Sequence, residues 1–103
     1  TMVLVPVREE LEILKKYLGI EKIRFEERLE YKIDADTSLL DHEIPCFIAQ
    51  PLVENSIKHG LSNNPVGIKI LIKVLRSDRY LRIEVANTGS LSSYAVTNII
   101  LPL

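Results

Sequence analysis

The segment from Gln50 to Gly60, which reads QPLVENSIKHG, constrains the fold of this chain more than any other part of the sequence. At about 100° per residue it predicts an amphipathic helix. One side of that helix carries Val53, Ser56 and Ile57, with Leu52 at its margin, and the opposite arc carries Glu54, Asn55, Lys58 and His59. Gly60 is predicted to end the helix in the left-handed conformation. The apolar side therefore requires a core beneath it.

The polar arc of this helix has the chemistry of a phosphate and metal site. Asn55 and His59 are one turn apart, and so are Glu54 and Lys58, so the members of each pair can touch. A lysine can meet a phosphate as a point charge, and an asparagine oxygen is a hard ligand for a metal ion. These residues therefore suit a nucleotide phosphate with its metal. The alternative is that this arc only contacts water, as the polar side of many surface helices does.

Length and charge exclude several classes of protein. The 103 residues predict a single domain. Thirteen Lys and Arg against fourteen Asp and Glu give a net charge of -1, which disfavours a nucleic-acid partner. The single cysteine, Cys46, cannot form an internal disulfide and fits a reducing compartment. No apolar run approaches the ~20 residues that span a bilayer, so we expect no direct membrane contact.

Hydrophobic periodicity predicts the remaining elements. A helix is predicted over residues 8–25, a half-buried strand over 28–34, and a helix from Pro45 to His59 with a kink near residue 50, because Pro51 would lie inside it. A loop over 61–66 leads into a hairpin of strands 68–75 and 80–86, which residues 87–89 would close. The order helix, strand, helix, hairpin predicts an α+β fold, a two-layer sandwich with helices on one face of a mostly antiparallel sheet.

Three segments carry a resemblance to a known family. Residues 10–25 resemble the helix that precedes the ATP-binding domain of bacterial sensor histidine kinases of the LytS/YehU type. Ile44 and Pro45, together with the segment from Gln50 to Gly60, resemble the N box of that family, and residues 85–89 (VANTG) resemble its first glycine box. The resemblance covers about residues 7–89. It implies the Bergerat, or GHKL, ATP-binding fold, in a C-terminally incomplete form.

The resemblance also implies an activity and partners for the intact parent protein. That protein would be a membrane-bound sensor of a two-component system. It would use ATP and Mg²⁺ to phosphorylate a protein histidine, pass the phosphoryl group to a response regulator and form a self-dimer. The chain itself is then expected in the cytoplasm, as the cytoplasmic part of a membrane-bound sensor, with a homodimer as one option.

The residue roles implied by the resemblance fall in the two boxes. The predicted ATP-binding residues are Asn55, Lys58, His59, Asn87 and Gly89. Asn55 matches the ligand of Mg²⁺, Lys58 approaches the phosphates and His59 lines the phosphate or nucleoside side. Glu54 matches a position that can act in catalysis through metal-bound water. Each assignment has a simpler alternative: a surface lysine, a helix-end histidine favoured by the helix dipole, or an asparagine that caps a neighbouring loop.

The glycine box departs from the family at one position. Asn87 stands where most relatives have an aspartate that accepts a hydrogen bond from the adenine amino group. An asparagine can accept the same bond without charge, so the contact should be weaker. Gly89 would let the backbone approach the base closely. The alternative for residues 87–89 is an ordinary turn.

The resemblance ends after Gly89. No glycine follows it, whereas the family continues with a lid and a second glycine box that holds the phosphates. The family's phosphoacceptor histidine also has no counterpart, because His42 lies in a connector and His59 in the N box. We therefore expect a fragment that does not autophosphorylate and binds ATP weakly or not at all. The alternative is a catalytically inactive scaffold that acts as an interaction module and dimerises through its first helix.

The domain division follows from these boundaries. Residues 1–26 are predicted to be an N-terminal helix from the end of the dimerisation region, residues 27–89 a partial ATP-binding domain, and residues 90–103 a divergent tail. Within that tail, residues 96–101 form an uncharged, β-prone apolar run. We expect this run either to pair with an open edge of the sheet or to join another copy of the chain.

Overall fold

The computed structural model describes residues 3–89 and 94–103 and contains two α-helices and six strands in that part of the chain. In chain order they are β1 (Leu4–Pro6), α1 (Val7–Phe25), β2 (Leu29–Ala35), β3 (Glu43–Pro45), α2 (Gln50–Asn63), β4 (Ile68–Ser77), β5 (Tyr80–Gly89) and β6 (Tyr94–Pro102). A short 3-10 turn at Glu26–Arg28 follows α1, and a second one at Thr37–Leu39 follows β2. Neither helix is both long and apolar enough to cross a bilayer.

The strands form a four-stranded sheet and a small two-stranded one. In the larger sheet the order is β2-β4-β5-β6, with β2 parallel to β4 and the other two pairs antiparallel. The connection from β2 to the parallel β4 runs through β3 and α2, as a parallel pair requires a crossover. The smaller sheet pairs β1 with β3. The predicted α+β class, with a mostly antiparallel sheet, is confirmed.

Both helices pack on the same face of the larger sheet. On that face, alternate residues of β4 and β5 are buried: Ile68, Ile70, Ile72 and Val74 on β4, and Leu81, Ile83 and Val85 on β5. From α1, Val7, Leu11, Leu14 and Leu18 join the same core, and from α2, Val53, Ile57 and Leu61. The alternation is the expected result of a sheet with one covered face. The opposite face carries the intervening residues of β4 and β5, among them Lys69, Lys73 and Glu84.

The start of the second helix differs from the prediction. The helix begins at Gln50, and Pro45 belongs to β3 instead. Pro51 therefore lies in the first turn, where a backbone N–H would have no intrahelical partner and proline is tolerated. The predicted kink near residue 50 was wrong, because the proline lies at the end of the helix and not in its interior.

The end of the second helix also differs from the prediction. Gly60 lies inside α2, which continues to Asn63, so the predicted left-handed stop was wrong. The glycine is buried for a different reason: a Cβ at this position would lie 2.8 Å from Cδ1 of Ile68. Its missing side chain therefore lets the helix approach β4 closely.

The observed sheet goes beyond the predicted hairpin in two ways: β5 is longer than predicted, and β6 adds a further strand. Asn87 and Gly89, which were expected to close the hairpin in a turn, lie in β5, where they pair with Ile70 and Ile68 of β4. The uncharged tail forms β6, which pairs with β5 along its length. The expectation that this run joins an open edge of the sheet is confirmed.

A buried carboxylate connects α1 to the N-terminus of α2. Glu10 is only 2% exposed, and its two carboxylate oxygens accept hydrogen bonds from the backbone N–H groups of Phe47, at 2.9 Å, and Ala49, at 3.0 Å. Ala49 is the N-cap of α2, and Phe47 has a positive φ of 62°. The negatively charged carboxylate pairs with N–H groups at the positive end of the helix dipole. It also stabilises the positive φ of Phe47, a backbone conformation that is rare for a bulky residue.

We expect Leu14→Ala to lower the free energy of unfolding by about 2–5 kcal/mol, because its side chain is fully buried and its removal leaves a cavity. Urea denaturation measures this change. The matched control is Ile23→Ala on the same helix, where the side chain is 79% exposed and the change should stay within about 0.5 kcal/mol. Equal effects of the two substitutions would show that α1 does not share the core of the sheet.

We expect Glu10→Gln to destabilise the fold by about 2–4 kcal/mol, because the substitution removes the charge and sets an amide N–H₂ against a backbone N–H donor. Urea denaturation again provides the measurement. Glu9→Gln is the control, since Glu9 is the exposed neighbour on the same turn, and its effect should be within about 0.5 kcal/mol. Indistinguishable values for the two variants would contradict the role of Glu10.

Candidate functional site

The two sides of α2 are divided as the sequence predicted. Val53, Ser56 and Ile57 are buried against the sheet. The polar residues Glu54, Asn55, Lys58 and His59 are all exposed. The polar arc therefore lies on the outer side of a helix that the core fixes in position.

Part of this polar arc borders a cleft of about 190 Å³ between α2 and the strands β5 and β6. The cleft is lined by Leu52, Asn55, Ser56, His59, Asn87 and Thr97. Asn55 and His59, one helical turn apart, come from the N-box segment, and Asn87 comes from the glycine-box segment. The structure therefore brings the two predicted segments to one site.

Asn87 has a fixed orientation in this cleft. It is 7% exposed, and its Nδ2 donates a hydrogen bond of 3.2 Å to the backbone carbonyl of Ser56. Among the described residues no donor is bonded to its Oδ1, so the acceptor half of the amide remains available. Gly60 lies beside this amide. A Cβ there would be in ordinary contact with Nδ2 of Asn87, at 3.5 Å, whereas it would clash with Cδ1 of Ile68.

Glu54 and Lys58, which were predicted to act at the site, are not among the residues that line the cleft. Glu54 accepts a hydrogen bond of 3.1 Å from Nε2 of Gln50. Its charge also acts on Tyr17 of α1. The pKa of the Tyr17 hydroxyl is raised above its usual value, first by burial, then by the negative charge of Glu21 and then by that of Glu54. Lys58 is exposed on the outer arc of the helix. Any contact of these two side chains with a ligand would therefore be made at the rim, outside the cleft.

Gly89 is the last residue of β5, where it pairs with Ile68. Because Gly89 follows Asn87 by two positions, the backbone N–H and C=O groups of both residues point to the same side of β5.

Thr97 is a lining residue that the sequence analysis missed. It lies in β6 opposite Val85 of β5, on the face of the sheet that carries the helices. The β-prone pattern of residues 96–101 predicted a strand, but it gave neither the partner strand nor the register. Both are needed to place Thr97 beside α2, because a shift of one residue would turn its side chain to the other face.

The described residues provide few metal ligands at the cleft. No group of three or more His, Cys, Asp or Glu side chains within residues 3–89 and 94–103 is arranged to hold a metal ion. The neutral donors that line the cleft are the amide oxygens of Asn55 and Asn87 and the imidazole of His59. That donor set does not make a protein-only metal site, but it suits Mg²⁺ that is bound chiefly by phosphates, because this ion usually takes few protein ligands.

Comparison with known proteins identifies relatives of this chain. It is 42% identical over 86 residues to the sensor protein LytS of Oceanobacillus iheyensis, a match that covers 84% of this chain and 15% of LytS. It is 36% identical over 87 residues to the sensor histidine kinase BtsS of Escherichia coli K12, covering 84% of this chain and 16% of BtsS. No family model matches the sequence.

Solved structures give the same fold. The catalytic domain of the histidine kinase ThkA superimposes with a TM-score of 0.62 at 15% sequence identity, over 86% of this chain and 59% of that domain. At this identity the match shows the fold alone. The chain thus has the fold of a histidine kinase catalytic domain.

The sequence matches narrow this class further. Over 84% of its length the chain is a relative of the sensor protein LytS and the sensor histidine kinase BtsS, and it corresponds to part of a histidine kinase catalytic domain. It spans about 15% of the length of these relatives. The resemblance to the LytS type, first seen in three short segments, is therefore confirmed.

We expect Asn87→Asp to destabilise the chain by about 1–3 kcal/mol at neutral pH, because the new carboxylate cannot donate to the Ser56 carbonyl and would face it. A protonated carboxyl can donate, so the fold should raise the pKa of the new group. Stability relative to wild type should then recover as the pH falls through that raised pKa and be lost as the pH rises.

Urea denaturation from pH 4 to pH 8 measures this difference. Asn87→Ala is the control, since it removes the hydrogen bond without adding a titrating group. A penalty for Asn87→Asp that does not change with pH, or that grows as the pH falls, would contradict the interpretation.

Proposed function

We propose that the cleft between α2 and the β5–β6 edge binds the purine end and part of the phosphate chain of ATP with Mg²⁺. In the larger protein this domain would then phosphorylate a histidine of a two-component sensor kinase. The observation that supports the proposal is the position of Asn55 and Asn87: they come from two separate motifs, and both line one cleft.

The purine side of the proposed site is centred on Asn87. Its N–H₂ group is bound to the Ser56 carbonyl, so its Oδ1 is the atom available to a ligand. An acceptor at this position selects the amino group of adenine and disfavours the carbonyl oxygen that guanine carries there. Thr97 and Leu52 provide a small polar and an apolar contact at the same cleft.

The phosphate side of the proposed site lies along the exposed arc of α2. Asn55 would hold Mg²⁺ through its amide oxygen, with His59 beside it in the cleft and Lys58 as a cation at the rim. Glu54 lies away from the cleft, and a role through metal-bound water remains part of the proposal. When bound, ATP with Mg²⁺ would supply the phosphoryl group, and catalysis would depend chiefly on positioning and charge stabilisation.

The size of the cleft favours weak binding by the 103-residue chain. Its volume of about 190 Å³ is below the roughly 300–1,000 Å³ of most small-molecule sites. The sequence also has no glycine after Gly89 that could form a second phosphate loop. This observation keeps a second candidate function in view: a non-catalytic scaffold that retains the fold as an interaction module.

The remaining assignments belong to the same proposal. Residues 1–26 would end a dimerisation region, residues 27–89 would form the ATP-binding part and residues 90–103 would be a divergent tail. A response regulator and a second sensor subunit would be the partners of the larger protein, and the chain would lie in the cytoplasm.

An NMR titration tests the nucleotide site. We expect ATP with Mg²⁺ to shift the backbone and side-chain amide signals of Asn55 and Asn87 with a dissociation constant of about 0.1–5 mM, the weak range set by the small cleft. Asn55→Ala should weaken binding by about tenfold in the presence of Mg²⁺ and much less without it, because only the metal contact is lost. Asn87→Ala should reduce the preference for ATP over GTP.

The matched control is Asn63→Ala, at the exposed end of the same helix and outside the cleft. It should leave binding unchanged. Micromolar affinity would contradict the expectation of weak binding, and shifts that do not include the cleft residues would contradict the site. The absence of any binding, with the fold intact, would favour the scaffold.

A further inference from the structure

The outer edge of β6 is an open strand edge. β6 is the last strand in the order β2-β4-β5-β6, and among the described residues no strand pairs with its other side. It is nine residues long, whereas strands at a protected edge are usually short.

The register shows which backbone groups point outward from this edge. The backbone N–H of Leu103 donates to the carbonyl of Arg79 at 3.0 Å, so these two residues form a hydrogen-bonded pair at the end of the β5–β6 ladder. Such pairs alternate along an antiparallel ladder, and the register is continuous up to Tyr94. The N–H and C=O groups of Val96, Asn98 and Ile100 therefore face away from β5.

Pro102 lies two residues after Ile100, so its backbone also faces away from β5. It has no N–H to donate, and an outward-facing position on an edge strand is where a proline is tolerated. The proline therefore agrees with the register and blocks only the last position of the open edge.

The side chains of this edge do not protect it. Residues 94–103 contain no Asp, Glu, Lys, Arg or His, although charged residues are the common means of preventing edge pairing. Val96 is 42% exposed and Ile100 is 59% exposed. Both lie on the face of the sheet that the helices leave uncovered, since their partners on β5 are Ala86 and Arg82.

We propose that β6 pairs antiparallel with β6 of a second copy of the chain, about a twofold axis at Asn98. In that register Asn98 lies opposite Asn98 of the second copy, and Val96 lies opposite Ile100. Each of these residues has an outward N–H and C=O, so every opposed pair can exchange two hydrogen bonds. The two four-stranded sheets become one continuous sheet.

A second copy fits this edge better than an arbitrary strand because the sequence around Asn98 is self-complementary. The aliphatic side chains two residues before and two residues after it meet each other across the axis, on the same face of the sheet. No like charges are brought together, because the strand has none. The contact lies on the edge and the open face, so Thr97 still lines the cleft on the helical face, and the inference does not depend on the proposed function.

Analytical ultracentrifugation of the 103-residue chain tests this pairing. We expect a monomer–dimer equilibrium between about 10 µM and 1 mM, because an edge contact buries less than the roughly 1,200 Å² of a stable interface. Asn98→Lys and Asn98→Glu each place like charges across the axis, and each should weaken dimerisation by at least about tenfold. An equimolar mixture of the two variants should restore it as a heterodimer, and added salt should weaken that heterodimer.

The control is Ile23→Lys, at an exposed apolar position of α1, the other surface expected to dimerise. It should leave the wild-type equilibrium unchanged. A monomer over the whole concentration range, dissociation by Ile23→Lys, or failure of the charge-reversed mixture to recover dimers would each overturn the proposal. Circular dichroism of every variant verifies that the sheet is intact.

Discussion

The close approach of α2 to the sheet at Gly60 is the contact on which the cleft depends. A methyl group there would lie 2.8 Å from Cδ1 of Ile68, whereas its distance of 3.5 Å from Nδ2 of Asn87 would be an ordinary contact. Because the helix can come this near, the Ser56 carbonyl lies within hydrogen-bond distance of Asn87 Nδ2. The glycine thus allows the close position of the helix, and the hydrogen bond to Ser56 orients the amide that faces the cleft. The same contact couples the packing of the core to the chemistry of the site, so a change in one alters the other.

The opposite end of α2 is held by a different kind of force. There Glu10 supplies a buried charge to the backbone of Phe47 and Ala49, whereas the middle of the helix is held by apolar packing. A charge-assisted hydrogen bond is directional and packing is not, so the carboxylate sets the point at which the helix begins. Because Glu10 lies on α1, the first helix also positions the one that carries Asn55. A movement of α1 would therefore reach the cleft through this contact.

The sequence was informative where local pattern decides structure and uninformative where long-range contacts do. The alternation of residues 68–75 and the two sides of residues 53–59 predicted the buried faces correctly, because burial follows directly from periodicity. Pro51 and Gly60 were both misplaced, because each was interpreted as a local signal while its real role depends on the helix boundary and on Ile68. Nothing local to Thr97 indicates the cleft, since its position there follows only from pairing with β5.

The amide at position 87 alters what the site can accept. An aspartate offers two acceptor oxygens and a charge, whereas Asn87 offers one acceptor and uses its donor on the Ser56 carbonyl. Compared with an aspartate, Asn87 lacks the charge that would attract a ligand. Its N–H₂ group instead stabilises the fold through the hydrogen bond to α2. A site built in this way holds its geometry without a ligand, because the amide is already oriented. A neutral acceptor also forms a weaker bond to an amino group than a carboxylate does.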